Sequence, residues 1–200
     1  MKGPFAAVLL ALSMLTGCAT VPQGTDFPTP DKTATTSQQS VALASVEVTD
    51  KTFVNWNAGK TQSTGMTLSL GNYLKASNRF SNVRMPGQAI TADDQVLSFS
   101  FDTYNVHRRP YGGYFPFAIV TLTGYIWFGG TTHIDESNVS GRLQVSDAQG
   151  KLLYSYQTRQ HAEHSVSLYS MGTVNGSPER RSALDDLLNQ YQSDLGKHTK

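Results

Sequence analysis

Two groups of acids and histidines are the residues best suited to chemistry: His133, Asp135 and Glu136 in one segment, and His161, Glu163 and His164 in the next. Imidazole and carboxylate are metal donors, but a site needs them convergent, each ligand oriented by a further partner. On an extended strand positions 161 and 164 face opposite sides, so His161 and His164 do not share an ion unless the strand is broken there. Solvated strand residues are expected, with no metal and no cofactor; a ligand- or metal-binding site on His133/Asp135 and His161/Glu163 is the alternative. No Gly-x-Ser-x-Gly elbow, phosphate-binding loop or helix-borne His-Glu-x-x-His occurs, and Asn175-Gly176-Ser177 reads as a loop and helix cap. No catalytic residue is assigned, and the chain is not expected to be an enzyme.

Cys18 is the sole cysteine, which excludes an internal disulfide framework and any multi-cysteine metal site. It closes a three-part segment: a basic start at Lys2, an apolar run of eleven residues from Phe5 to Leu15, then Leu15-Thr16-Gly17-Cys18. A spanning helix needs about 20 apolar residues, so the run reads as the core of a secretory signal. An ordinary signal peptide with a coincidental cysteine, or a short hydrophobic anchor, is the alternative. The tetrapeptide resembles the lipobox of bacterial lipoproteins. That resemblance implies cleavage between Gly17 and Cys18, a lipid on the Cys18 thiol, and a signal peptide over residues 1–17. Multiple acyl chains suffice for stable anchoring, so membrane attachment needs no transmembrane helix. Ala19 in place of Asp after the lipidated cysteine points, by the same resemblance, to the outer membrane facing the periplasm.

Charge and size narrow the classes further. Two hundred residues with 38% hydrophobic content suit one substantial folded domain. Sixteen Lys plus Arg against fifteen Asp plus Glu leave a net charge of +1 without a basic stripe, so no nucleic-acid partner is expected.

The elements follow from composition and periodicity. Residues 18–40, rich in Thr, Ser, Gln and Pro, predict a flexible linker whose 22 residues after Cys18 reach about 26 Å. A single domain is expected over 41–197: a first strand at 41–48, a helix over about 61–77 with Met66, Leu70, Tyr73 and Leu74 on one face, and a strand at 80–85. Alternation of Leu97, Phe99 and Phe101 with Ser98, Ser100 and Asp102 predicts a half-buried strand over 96–107. A hairpin is expected around Asp147-Ala148-Gln149-Gly150, with Gly150 at positive φ and a return strand over 151–167. Ser177-Pro178 opens a last helix whose apolar face is Leu184, Leu187, Leu188, Tyr191 and Leu195. The fold class is α+β: a mostly antiparallel sheet with two helices packed on one face, in the order β-α-β-β-(apolar insert)-β-β-α.

The insert, residues 110–134, carries no formally charged side chain, and 114–130 is strongly apolar and aromatic. Seventeen residues of helix would rise about 25 Å, short of a bilayer's hydrocarbon core, and Pro116 and Gly124 interrupt one. One reading is a buried connection, with Phe115, Phe117, Leu122, Ile126 and Trp127 filling the core. The other is a surface that meets lipid or a neighbouring subunit. Barrel-strand alternation is absent, which counts against a pore. At its edge His107-Arg108-Arg109-Pro110-Tyr111 sets two guanidinium groups beside an aromatic, a composition suited to phosphate or carboxylate recognition as well as to a solvated loop. Candidate interface residues are Arg108, Arg109, Tyr111, Phe115, Phe117, Ile126 and Trp127.

The element order, with Ser69-Leu70-Gly71-Asn72-Tyr73-Leu74, Arg79-Phe80-Ser81-Asn82-Val83 and the hairpin at 147–150, resembles the small α/β domain of envelope proteins such as the amino-terminal domain of TolB and the curli-secretion and Pel-secretion lipoproteins. The resemblance implies a non-enzymatic interaction or assembly module of an envelope transport or secretion system. Its partners would be the membrane through the lipid, and an envelope protein or another copy of itself. A hydrolase acting on envelope polymers is the third reading, supported by compartment alone.

Overall fold

The computed structural model describes residues 27, 30, 37–50, 58–121, 124–170 and 177–198. The elements run β1 (Ser37–Leu43), β2 (Glu47–Val48), α1 (Ala58–Ala76), β3 (Phe80–Arg84), β4 (Gln95–Pro110), α2 (Tyr114–Val120), α3 (Gly124–Trp127), β5 (Thr131–Ser146), β6 (Leu152–Ser167), a single 3₁₀ turn (Leu168–Ser170) and α4 (Ser177–His198). The α+β class and the mostly antiparallel sheet stand, and the parallel pairings of β1 and β2 make that sheet mixed; the element order and the helix count differ from expectation, because the first strand is split and the insert forms two further helices. β1 lies parallel to both β3 and β4, and β2 is parallel to β4, in the order β3-β1-β4-β5-β6. The antiparallel pairings involve the three long strands.

The chain divides into two compact units, the larger drawn from Pro22–Asn105, Ser137–Ala162 and Asn175–Lys200, the smaller including Val106–Glu136 and Glu163–Val174. Each of β4, β5 and β6 therefore contributes residues to both.

In the larger unit one apolar cluster joins Met66, Leu70, Tyr73 and Leu74 of α1, Leu184, Leu187, Leu188 and Tyr191 of α4, and Leu97, Phe99 and Phe101 of β4. These are the side chains that helical and strand periodicity place on one face. Arg79, buried after α1, fastens α4: its guanidinium donates to Asn189 Oδ1 at 2.6 Å, Gln192 Oε1 at 2.8 Å and Asp185 Oδ1 at 2.9 Å. Tyr73 OH adds a bond to the same Asp185 oxygen at 2.6 Å.

The expected first strand is broken in two. Between the pairs Leu43↔Leu97 and Glu47↔Ser100 the β1–β2 side advances four residues and β4 three. The extra residue turns Val46 out of the ladder, where its N–H donates to Thr67 Oγ1 at 2.9 Å and its carbonyl accepts from the Ser63 hydroxyl, both on α1. Past β2, the Asp50 carboxylate accepts the Tyr104 N–H at 2.7 Å, where burial along β4 shifts phase from Phe101 to Tyr104.

Within the stretch 18–40 expected as a linker, some of the described residues are held by the fold. β1 begins at Ser37, and Phe27 is buried against Tyr73 and Phe101, its N–H donating to Ser69 Oγ at 2.8 Å. The hairpin is as expected: Gly150 has φ +87°, and Asp147 Oδ1 accepts from the Gln149 and Lys151 N–H groups at 3.1 and 2.8 Å.

Candidate functional site

The smaller unit holds most of the residues singled out above. Arg108 meets Asp135 with two parallel bonds, Nε to Oδ1 at 2.6 Å and Nη2 to Oδ2 at 2.8 Å. This fork-to-carboxylate geometry is the strongest ion-pair arrangement two side chains make. It raises the Arg108 pKa against the opposing effect of burial. Arg109 reaches Glu163 Oε1 at 3.0 Å and Glu136 Oε2 at 3.7 Å, and His107 Nε2 lies 3.6 Å from Glu136. The Thr132 hydroxyl donates to the Val166 carbonyl at 3.1 Å, leaving its oxygen to accept from His133 Nδ1 at 3.0 Å. Burial, with the nearby Arg108 charge, pushes the His133 pKa below its ordinary value, and Asp135 offsets part of that.

The two arginines proposed for recognition are thus engaged with the chain's own carboxylates. The same pairs occupy the acids considered as metal ligands. In the larger unit, His161 Nδ1 lies 2.8 Å from Asn138 Oδ1. Among the described residues no group of three or more His, Cys, Asp or Glu side chains is placed to hold a metal ion.

Between β4 and β5 the chain leaves the sheet and returns. The Tyr111 N–H bonds the Thr132 carbonyl at 3.0 Å, and between them α2 and α3 form a small helical projection. It is held by stacked rings of Phe117 and Tyr125, centroids 5.4 Å apart, and by Tyr125 OH donating to the Thr131 carbonyl at 3.1 Å. The reading of this insert as buried core is overturned: no described residue of α2 or α3 is buried. Ile119 is 72%, Trp127 76%, Val120 80% and Phe128 94% exposed, and Phe115 and Phe117 nearly half. Two turns of helix interrupted by Gly124 and closed by Gly129-Gly130 are too short to lay a continuous apolar face on the sheet. Tyr111 and Ile126 are half-buried, and Leu122 lies outside the described residues.

Sequence reasoning missed Val120 and Phe128, although both fall in the uncharged run. It also missed the exposed Leu168 and Tyr169 after β6, which no pattern marked. Gly17 and Cys18 lie outside the described residues. Among the described residues no helix is long and apolar enough to cross a membrane. The larger unit has an open polar cleft of about 460 Å³, lined by Asp102, Thr103, Ser140, Gln157 and Arg159 among others.

No protein-family model matches the chain, and no curated protein sequence does either. Solved structures of similar layout include a Xanthomonas campestris protein of family DUF330, with 9% identity, TM-score 0.42, and 88% of this chain and 92% of that one covered. A neuraminyllactose-binding hemagglutinin homolog from Helicobacter pylori follows with 10% identity, TM-score 0.35, and 88% and 94% covered. A minor lipoprotein from Acinetobacter baumannii has 18% identity, TM-score 0.35, and 82% and 96% covered. These likenesses are too remote to assign a family or an activity.

Proposed function

We propose that this chain is a lipid-anchored protein of the bacterial envelope, held by acyl chains on Cys18 at the periplasmic face of the outer membrane. It acts without catalysis, as an interaction or assembly module of an envelope transport or secretion system. The observation that carries the reading is the placing of the sole cysteine, Cys18, directly after an eleven-residue apolar run and Leu-Thr-Gly. The role in assembly is drawn from the resemblance to small envelope lipoprotein domains. It is supported by an exposed apolar projection on a chain whose conspicuous acids are paired with arginine, which favours contact over chemistry.

Mass spectrometry of the mature product made in its own bacterium tests the anchor. A diacylglyceryl group on an amino-terminal Cys18 is expected, and an unmodified thiol or an uncut leader overturns it. Crosslinking in detergent extracts tests the assembly role: recovery of a reproducible envelope partner supports it, and recovery of none defeats it.

A further inference from the structure

We infer that the α2–α3 projection is a second membrane contact, which dips into the interfacial layer of the phospholipid bilayer that carries the anchor. The inference rests on the reading of Cys18 as that anchor for its location, but the contact itself depends only on the projection.

Three observations point to lipid. First, the side chains presented are mostly apolar or aromatic: residues 110–134 have no formal charge, and Ile119, Val120, Trp127 and Phe128 are among the most exposed large hydrophobics of the described residues. Aromatic residues beside aliphatic ones at a membrane's edge fit the headgroup boundary, where an amphipathic element sinks about 5–10 Å. The seven residues of α2 rise about 10 Å, which matches that depth and excludes a span.

Second, the backbone of the projection is prepared for a medium without water. The N–H groups of Phe117, Thr121, Gly124, Phe128, Gly129 and Gly130 donate to carbonyls of the projection itself, at 2.8 to 3.1 Å. The Tyr125 N–H takes the Thr121 hydroxyl at 2.9 Å, and that hydroxyl donates to the Phe117 carbonyl at 2.7 Å. Unanswered peptide groups are what lipid penalises most, and these donors are answered internally.

Third, the anchor keeps Phe27 of the larger unit near the bilayer. Because Phe27 is docked, only eight residues separate it from Cys18. Nine Cα steps span at most about 30 Å, so Phe27 stays within that distance of the acylated residue. Among the described residues of the smaller unit Arg108 pairs with Asp135, and Arg109 is shared between Glu163 and Glu136. The contact is therefore apolar rather than electrostatic.

The test uses the mature chain from residue 18, with Cys18→Ser to remove acylation and Trp56→Phe to leave Trp127 as the sole indole. No described core residue precedes Phe27. On mixing with phosphatidylcholine vesicles, or with phosphatidylethanolamine–phosphatidylglycerol vesicles, Trp127 emission should shift to the blue and be quenched by shallow-brominated lipid, and the protein should float with both. Salt should change partitioning by less than about twofold. Val120→Asp with Phe128→Asp should weaken it about tenfold or more, with the thermal transition unchanged. Ile119→Ser with Trp127 retained gives a milder second variant of the same sign.

A solvent-like Trp127 in the presence of vesicles overturns the inference. So does a blue shift without lipid that tracks self-association, which would make the projection an interface between copies. Failure of the anchor appears separately, as an unmodified Cys18 in the native protein.

Discussion

Arg108 and Asp135 form a two-point ion pair where β4 and β5 flank the apolar projection, with nitrogen–oxygen distances of 2.6 and 2.8 Å and both side chains largely shielded from solvent. The projection is braced by its own Phe117–Tyr125 stack and by the Tyr125 bond to the Thr131 carbonyl, and the Arg108–Asp135 pair ties together the two strands from which it leaves and to which it returns. Truncating one partner leaves the other charge desolvated.

Asp135→Leu or Arg108→Met should therefore cost about 2–4 kcal/mol and speed proteolysis between residues 112 and 130. The double variant Arg108→Met/Asp135→Leu should recover most of the loss. Denaturant midpoints of the four proteins make the cycle, and additive losses would refute the coupling.

Docking of Phe27 predicts that Phe27→Ala lowers stability by about 2–4 kcal/mol through lost packing against Tyr73 and Phe101. Ser69→Ala should cost about 1 kcal/mol, since it leaves the Phe27 N–H unpaired. Urea titration measures both. A neutral Phe27→Ala would mean that this residue is not held.

Asp94 predicts an acid limb. Burial would raise its pKa, but bonds from the Ser40 hydroxyl and from the Thr91 N–H and hydroxyl, with the Arg84 charge, bring it from 3.8 down to about 2. A carboxylate depressed in the folded state stabilises above its unfolded pKa, so its contribution is complete above about pH 4 and is lost as pH falls to about 2. The difference is on the order of 2 kcal/mol. Asp94→Asn should be less stable at neutral pH and show a flatter midpoint between those limits.

Three tyrosines predict an alkaline limb. Burial, joined by the Asp185 bond at Tyr73, the Asp194 bond at Tyr156 and neighbouring phenols at Tyr191, raises all three far above 10.0. A raised phenol stabilises the fold below its unfolded pKa and loses that effect as pH rises, so stability should fall above about pH 10. Phenolate absorbance should show these three of the nine tyrosines titrating only as the protein unfolds.

Gly141 and Gly71 predict opposite responses to alanine. A Cβ at Gly141 would lie 2.9 Å from the Phe101 ring and 3.3 Å from the Ser100 carbonyl oxygen, so Gly141→Ala should cost about 1–3 kcal/mol. At Gly71 the obstruction is the Met85 thioether end, on a half-buried, flexible side chain that is free to swing away. The better helix propensity of alanine should then leave Gly71→Ala neutral or stabilised by up to about 1 kcal/mol. Thermal unfolding decides both.

Periodicity alone determined the helix faces of α1 and α4, the alternation of Leu97, Phe99 and Phe101, and the hairpin at Asp147 to Gly150, because each is written in residues a few positions apart. The composition of residues 110–134 likewise made them a candidate surface. Only the tertiary structure decided that β1 lies parallel between β3 and β4, since strand neighbours depend on where α1 returns the chain. It alone decided that Arg108 and Arg109 face Asp135 and Glu163, 27 and 54 residues away. The exposure of the insert was also beyond local reading, because apolar side chains suit a core and a membrane equally, and what separates the two is whether the sheet has a face left to receive them.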